Sequence, residues 1–236
     1  MENEVKFENL GLSSSLLTKI KDKGFEEPSL IQARTIPIII KNEVDLVAKA
    51  QTGTGKTAAF GLPILDMLEV VKSPQPQAII LAPTRELAIQ ITEELSSLSY
   101  KKKFKIITIY GGQSIDRQIQ RIERGVDIVV GTPGRILDHL KRKTLDISKI
   151  SHVILDEADE MLNMGFIEDI ERILLLCPKD RRTIMFSATM PENIESLAKK
   201  YMKKYDLVSI ISKNTAKENI EQIYFEVAQS DKFEAL

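Results

Sequence analysis

The sequence holds few of the side chains that form disulfides and transition-metal sites. Cys177 is the single cysteine, and His139 and His152 are the only two histidines among 236 residues. A lone cysteine excludes a disulfide within the chain and is typical of a reducing compartment. With so few nitrogen and sulfur ligands, the sequence offers no transition-metal cluster. We expect both histidines to be ordinary surface or packing residues.

Long apolar runs and a large net charge are also missing. No run approaches the roughly 18 apolar residues of a membrane span, and Met1 to Leu10 is too polar for a secretory signal. These absences predict a cytoplasmic protein with no membrane contact, and nothing indicates an oligomer. The formal net charge is −1, so any nucleic acid would be bound by a local patch or by backbone dipoles.

A glycine-rich stretch lies between an apolar run, Val44 to Val47, and a segment with helical spacing, Ala58 to Leu68. Strand, glycine-rich loop and helix are the context of a phosphate-binding loop, in which backbone N–H groups and the helix N-terminus face phosphate oxygens. A glycine-rich turn before an ordinary helix is the alternative. The strict pattern begins with glycine, and alanine stands there instead. The predicted nucleotide-binding residues are Ala50, Gln51, Thr52, Gly53, Thr54, Gly55, Lys56 and Thr57. Lys56 would contact the outer phosphates, and the Thr57 hydroxyl would ligate Mg²⁺.

Continuous apolar runs alternate with helical patterns along the chain. With 43% hydrophobic residues in 236 positions, the chain is long enough for one large α/β domain. The pattern predicts an α/β fold, a mostly parallel sheet with helices on both faces. Ligands in such sheets sit beyond the carboxyl ends of the strands, where the polar motifs fall. The predicted strands are Val44–Val47, Ala78–Leu81, Lys105–Tyr110, Asp127–Val130, His152–Leu155, Arg182–Phe186 and Leu207–Ile211.

An acidic tetrad, Asp156 to Asp159, directly follows one of these strands. Asp156 is placed to hold Mg²⁺ opposite the phosphate loop. Glu157 could orient and deprotonate an attacking water, so Lys56, Asp156 and Glu157 are the predicted catalytic residues. A solvated acidic turn is the alternative.

A further segment, Gly24 to Gln32, has the chemistry to bind adenine. The Gln32 amide can donate and accept at once, which matches the N6 and N7 edge of adenine, and Phe25 offers a face for stacking. A turn with a capping glutamine explains the same residues. Upstream, Phe7 to Lys23 predicts a lead-in and an amphipathic helix, capped by Ser13 or Ser14.

From Phe7 through Thr189 the chain resembles the DEAD-box RNA helicase family. Phe7, Gly24-Phe25, Pro28 and Gln32 resemble its adenine-reading Q motif, spanning 7–32 here, and alanine is usual at the first position of its phosphate loop. In one-letter code the acidic tetrad, Asp156 to Asp159, reads DEAD, from which the family takes its name. The resemblance implies a RecA-like P-loop NTPase domain that uses ATP and Mg²⁺ in an ATP-dependent RNA helicase. It also implies a coupling role for Ser187 and Thr189, which would hydrogen-bond towards Asp159.

The resemblance further implies contacts with an RNA backbone, in a single strand or a short duplex. Arginines can pair with phosphates, and glycines let the strand approach. The implied RNA-binding residues are Pro83, Thr84, Arg85, Gly111, Gly112, Thr132, Pro133, Gly134 and Arg135. A lysine run, Lys101 to Lys103, is more typical of a solvated loop.

The family carries a second RecA-like domain, and we expect only its beginning here. The predicted division is a first RecA-like domain over 1–212, a linker over 213–219 and the start of the absent domain over 220–236, with a strand at Ile220 to Val227. The absent domain would supply the arginine finger, worth roughly 10³–10⁵ in rate. The chain alone should therefore bind ATP weakly and hydrolyse it poorly.

Two other functions use much the same motifs. One is an RNA clamp, a binding protein whose ATP cycle controls how tightly it holds RNA and does not drive strand separation. The sequence does not distinguish such a clamp from a helicase. The other is a different P-loop enzyme such as a GTPase. We find no Asn-Lys-x-Asp guanine signature in the sequence, and the Q motif indicates adenine.

Overall fold

The computed structural model describes residues 5–41, 43–70, 73, 75–99, 103–210, 223 and 225–234. A short 3-10 helix at Phe7–Leu10 comes first. The α-helices are α1 (Ser14–Asp22), α2 (Leu30–Lys41), α3 (Lys56–Met67), α4 (Arg85–Leu98), α5 (Ile115–Glu123), α6 (Pro133–Lys141), α7 (Ala158–Asn163), α8 (Ile167–Leu176) and α9 (Glu192–Tyr201). The strands are β1 (Asp45–Lys49), β2 (Ala78–Leu81), β3 (Ile106–Ile109), β4 (Ile128–Gly131), β5 (His152–Leu155), β6 (Arg182–Ser187) and β7 (Tyr205–Ser209).

All seven strands belong to one sheet, in the order β3-β4-β2-β5-β6-β1-β7. Every neighbouring pair is parallel. Because parallel strands need crossover connections, helices lie against the sheet between them. The predicted parallel α/β architecture is therefore confirmed.

Helices cover both faces of the sheet. Successive strand residues point to opposite faces, so Leu46 and Ala48 of β1 join one buried cluster while Val47 joins the other. Buried residues of α1 to α4 complete the first cluster, and those of α5 to α9 complete the second. A strand that is buried on both faces has no polar side, which explains the continuous apolar runs in the sequence.

The strand order divides the carboxyl edge of the sheet into two halves. β1, β6 and β5 are neighbours, and so are β2, β4 and β3, while pairing of β5 with β2 joins the two groups. The phosphate loop, Ser187–Thr189 and the acidic tetrad follow the first group. The predicted RNA motifs follow the second group. Motifs that are far apart along the chain are thereby brought to one edge of the sheet.

Several predicted boundaries were wrong by one or two residues. β1 runs on through Ala48 and Lys49, because pairing with β6 continues to Lys49 opposite Ser187 and the Ala50 N–H donates to Ser187 O at 3.0 Å. The α3 helix begins at Lys56, two residues before the predicted start. The last strand is Tyr205–Ser209 rather than Leu207–Ile211, because Asp45 pairs with Tyr205. Residue Ile211 lies outside the described part.

The predicted cap of α1 was half right. Ser13 occupies the N-cap position, but its side chain makes no capping hydrogen bond to the helix. Its hydroxyl and its N–H both donate to the Asp66 carboxylate instead. The residue therefore ties α1 to the end of α3.

Some predictions fall partly or wholly outside the described residues. These are the linker over 213–219, most of the strand at Ile220 to Val227, and Lys101 with its neighbour at 102. Residues 223 and 225–228 are described, and they adopt no regular structure. Among the described helices, none combines the length and the apolar character that a membrane span requires.

Candidate active site

The phosphate loop turns on two glycines with positive φ. Gly53 has a φ of 76° and Gly55 a φ of 87°, a region that other residues enter only with strain. The Thr54 hydroxyl donates to Gln51 O at 2.8 Å, and the Ser29 hydroxyl donates to Thr54 O at 2.8 Å. Gln51, Thr52 and Gly53 are exposed at the top of the loop. The loop is thus held from beneath and open to a ligand above.

Lys56 is the buried cation of the site. Its side chain is 6% exposed, and its Nζ lies 3.9 Å from Asp156 Oδ1 and 3.8 Å from Glu157 Oε1. Among the residues that the structure describes, this buried Nζ has no hydrogen-bond partner. A buried ammonium without hydrogen bonds is costly, so an anionic ligand with several acceptor oxygens would relieve it. The terminal phosphates of a nucleotide have that chemistry.

Asp156 lies beneath Lys56 at the end of β5. The residue is 2% exposed, and burial raises its pKa to about 6, with Lys56 lowering and Glu157 raising it. Burial therefore disfavours the ionised form of this carboxylate, and Lys56 offsets the effect only in part. A divalent cation nearby would favour the ionised form. Asp156 and the half-buried Thr57 are the two residues that the sequence predicts would hold such an ion.

Glu157 has an unusual backbone. Its φ of 53° and ψ of 53° are left-handed, a conformation that costs a residue with a side chain about 1–3 kcal/mol. The conformation places Glu157 at the N-cap position of α7, and its N–H donates to Asp156 Oδ1 at 3.1 Å. Its side chain stays 23% exposed beside Lys56. Solvent can therefore reach this carboxylate, as it must reach a base that acts on water.

Asp159 connects the acidic tetrad to the end of β6. One carboxylate oxygen accepts from the Thr189 N–H and hydroxyl, both at 2.8 Å. The Ser187 hydroxyl lies 3.3 Å from the Asp159 N–H and donates to Thr189 O at 2.7 Å. Burial alone would raise the Asp159 pKa, but the bonds from Thr189 and Ser187 outweigh it and lower the pKa. The predicted hydrogen bonding of Ser187 and Thr189 towards Asp159 is confirmed.

Gln32 contacts the phosphate loop directly, which sequence reasoning did not anticipate. Its Nε2 donates to Gly55 O at 3.2 Å, and its Oε1 accepts from the Ser29 N–H at 3.0 Å. One amide hydrogen and one lone pair remain for a ligand. Phe25 is half-buried, and the Phe7 ring packs against it with centroids 6.5 Å apart. Phe7 is only 4% exposed, so it would act by supporting Phe25.

The other half of the edge carries two arginines. Arg85 is exposed at the start of α4, with its guanidinium 5.1 Å from the Tyr110 ring centroid. Arg135 lies near the start of α6, where Nη1 donates to Gln113 O at 3.0 Å. The Thr84 hydroxyl accepts from the Leu87 N–H at 3.2 Å as the cap of α4. Gly111, Gly112 and Gly134 are exposed nearby, while Pro83 and Pro133 are buried and Thr132 is half-buried.

Sequence reasoning missed two residues beneath Arg135. Gln118 is 2% exposed, and its Oε1 lies 3.4 Å from Arg135 Nη1 and 2.9 Å from His139 Nε2. Both histidines, expected to be surface or packing residues, are buried. A signal was present in the sequence: Gln118 lies one turn before Ile122, on the buried stripe of α5.

No group of three or more histidine, cysteine, aspartate and glutamate side chains that could hold a metal occurs within the described ranges. A fully protein-bound ion is not the expected arrangement here. Magnesium at nucleotide sites is usually held by one or two protein ligands together with phosphates and water. The predicted ligands Thr57 and Asp156 would correspond to the protein ligands of that arrangement.

Known proteins are similar to this chain in sequence and in fold. The CshA DEAD-box ATP-dependent RNA helicases of Geobacillus kaustophilus and Bacillus subtilis are 50% and 48% identical over 98% of this chain, which covers 49% and 47% of their lengths. The crystal structure of a DEAD box protein from Methanococcus jannaschii is 49% identical, with a TM-score of 0.83 over 98% of this chain and 61% of that chain. A hypothetical ATP-dependent RNA helicase from Sulfolobus tokodaii is 35% identical, with a TM-score of 0.77 over 84% of this chain and 57% of that chain.

Fold and site together define a RecA-like P-loop domain, and the matched structures confirm that class. A sequence model of the DEAD/DEAH box helicase family matches residues 29–197. The chain belongs to this family. It spans about half the length of the curated relatives that it matches.

Proposed function

We propose that this chain is the ATP-binding half of an ATP-dependent RNA helicase, which couples RNA-stimulated ATP hydrolysis to local unwinding of RNA duplexes. The observation that carries the proposal is the buried Lys56 Nζ, which lacks a hydrogen bond in the described structure and lies within 4 Å of two carboxylates. The names of the relatives, ATP-dependent RNA helicases, support the same function.

In this proposal the nucleotide lies across the β1, β6 and β5 end of the sheet. The loop from Ala50 to Thr57 surrounds the phosphates, and Lys56 binds the outermost ones. Thr57 and Asp156 would hold Mg²⁺, which neutralises phosphate charge when bound. Adenine would stack on Phe25, with Phe7 behind it, and meet the free part of the Gln32 amide.

Glu157 is the proposed base. Its side chain is partly open to solvent, and its strained backbone keeps it beside Lys56. A positioned base contributes typically 10²–10⁴-fold to a rate. Asp159 would couple this site to Ser187 and Thr189, because all three share one hydrogen-bond network at the ends of β5 and β6.

RNA would lie along the other half of the edge. Arg85 and Arg135 supply positive charge there, and exposed glycines at 111, 112 and 134 leave room for a backbone. The implied contacts also include Pro83, Thr84, Thr132 and Pro133. Contacts with phosphate and sugar position a strand without reading its sequence.

A second RecA-like domain is the proposed partner of this one within a longer chain. It would close over the nucleotide and supply the arginine that this half lacks. The half-length match to the relatives supports this arrangement. We also propose a cytoplasmic location, supported by the single cysteine.

The test is nucleotide selectivity, measured as the affinity of this chain for fluorescent ATP and GTP analogues in the presence of Mg²⁺. We expect ATP to bind more tightly than GTP, and Gln32→Ala to reduce the difference. Gln90→Ala, an exposed glutamine on α4, is the matched control and should leave the difference unchanged. Equal affinities for ATP and GTP in the unmodified chain would remove the adenine assignment.

A further inference from the structure

A buried polar network lies directly beneath Arg135. Gln118 Nε2 donates to Tyr110 O at 2.9 Å, which turns its Oε1 towards Arg135 and His139. His139 in turn contacts the Thr144 hydroxyl through Nδ1 at 2.8 Å. Buried polar groups that are fully hydrogen-bonded have few alternative arrangements. The Gln118 amide is therefore held in one orientation.

The protonation of His139 completes this arrangement. Burial, together with the nearby Arg135, lowers the His139 pKa below its usual value, so the ring is neutral at pH 7. A neutral ring has one N–H. Because Gln118 Nε2 donates to the Tyr110 carbonyl, the atom that faces His139 is Gln118 Oε1, which can only accept. The proton of the neutral His139 ring therefore lies on His139 Nε2. The Thr144 hydroxyl, which also lies 3.2 Å from His139 O, then directs its proton to Nδ1 at 2.8 Å.

Arg135 is the only charged side chain that this amide contacts in the described residues. Its Nη1 is held between Gln113 O and Gln118 Oε1, while the side chain stays partly exposed. An arginine that is already hydrogen-bonded at one nitrogen loses less side-chain conformational entropy when its other nitrogens bind a phosphate. An exposed arginine without such a hydrogen bond loses more side-chain entropy on binding.

We propose that Gln118 is a positioning residue for RNA binding, which orients the Arg135 guanidinium towards a phosphate of the strand and is itself locked by Tyr110 and His139. This inference rests on the proposed function, because it requires Arg135 to contact RNA. Gln118 acts through Arg135 and touches no RNA itself.

The test is the affinity of the 236-residue chain for a fluorescent oligouridine, measured at several salt concentrations for Gln118→Leu, Arg135→Ala and the double variant. We expect each single variant to weaken binding about three- to tenfold. Loss of one phosphate contact should lower the slope of log affinity against log salt by about 0.7 for a single strand. The double variant should bind no more weakly than Arg135→Ala, because both changes remove the same contact.

Gln120→Leu is the matched control, since Gln120 is an exposed glutamine on the same helix. It should keep wild-type affinity and salt slope. Two milder substitutions guard against a folding defect in Gln118→Leu. His139→Gln keeps a donor near the Nε2 position and should retain more RNA affinity than His139→Asn, which does not reach Gln118.

The outcomes separate this inference from the function beneath it. If Arg135→Ala binds oligouridine like the wild type, the RNA contact itself is wrong, and the inference is overturned with it. If Arg135→Ala weakens binding while Gln118→Leu leaves the affinity and the salt slope unchanged, only the positioning role is overturned. A Gln118→Leu variant that is less stable but keeps the wild-type slope also overturns it.

Discussion

Glu157 combines a strained backbone with a position beside the buried Lys56. Its φ of 53° is one of only two positive values outside glycine in the described residues. Strain of this kind persists where the surrounding structure imposes it, and it clusters at functional sites. The hydrogen bond from its N–H to Asp156 and the start of α7 impose it here.

Replacing Glu157 with glutamine tests the role of this carboxylate. We expect Glu157→Gln, in a chain with the second domain, to bind ATP and RNA within a few-fold of wild type. Turnover should fall by roughly 10²–10⁴-fold, because the amide cannot take a proton. Glu160→Gln, an exposed position on the same helix, is the control and should keep its rate. Unchanged turnover in Glu157→Gln would exclude it as the base.

His152 makes stability depend on pH at the opposite edge of the sheet. It lies at the start of β5, and burial lowers its pKa from 6.5 to about 4, with Arg182 adding to the effect. A lowered pKa means that the unfolded chain binds the proton more readily. The stabilising contribution is therefore complete above pH 6.5 and is lost as the pH falls towards 4.

Denaturant unfolding at pH 7.5 and pH 4.5 measures this effect. Wild type should lose about 2–3 kcal/mol at pH 4.5 relative to His152→Gln, a residue with no charge to gain. The comparison with the variant is needed because the raised pKa of Asp156 acts in the opposite direction over the same range. An equal change in stability for both proteins would show that His152 keeps an ordinary pKa.

At the scale of elements, the contact between α2 and the start of α3 is the least expected feature. A Cβ added at Gly55 would lie 2.5 Å from Gln32 Nε2, whereas a Cβ at Gly53 would meet nothing within 4 Å in the described structure. Both glycines have positive φ. Of these two loop glycines, Gly55 is therefore the one at which a side chain would meet both backbone strain and a steric clash.

Gly55→Ala and Gly53→Ala form a matched pair for this contact. Each should lose about 1–2 kcal/mol of unfolding free energy from backbone strain. Gly55→Ala should lose roughly 1 kcal/mol more, because the new methyl group displaces the Gln32 amide from its hydrogen bond. As measured by denaturant unfolding, adding Gln32→Ala to Gly55→Ala should then cost less than Gln32→Ala does alone, because the bond to Gly55 is already lost and only the bond from the Ser29 N–H remains to lose. Equal losses in the two single variants would show that Gln32 does not need this space.

Uniform burial helped to locate the strands, although β4 and β6, which are also buried throughout, were each predicted to end one residue early. β2 and β5 were predicted to the residue, because each is a continuous apolar run that ends at a polar motif. The bounds of β1 and β7 were not, since their ends depend on pairing with each other and with β6. Which strands pair, and how far the pairing extends, cannot be predicted from a single sequence.

Site residues divide in the same way. Lys56 and Asp156 were identifiable because each directly follows a glycine or a strand end, whereas Asp159 was named from the family resemblance. Gln118 and the Gln32–Gly55 bond were not, because they depend on side chains from separate elements meeting in space. Such contacts become visible only when the strand order is known.

At the scale of the whole molecule, the strand order separates the predicted nucleotide motifs from the predicted RNA motifs along the carboxyl edge of the sheet. The predicted nucleotide motifs follow β1, β6 and β5. Arg85 follows β2, and Arg135 follows β4. The β2–β5 pairing joins these halves through backbone hydrogen bonds. The proposed nucleotide and RNA sites would therefore lie side by side on one sheet, as the proposed RNA-dependent ATPase requires.

The most direct test of this account is ATP hydrolysis with and without single-stranded RNA. It should be measured for this chain and for a chain extended to the length of its relatives. We predict weak, RNA-independent turnover for this chain and strong RNA stimulation for the longer one, since an arginine finger is worth roughly 10³–10⁵ in rate. If the longer chain hydrolyses ATP at the same rate with and without RNA, the central claim is contradicted.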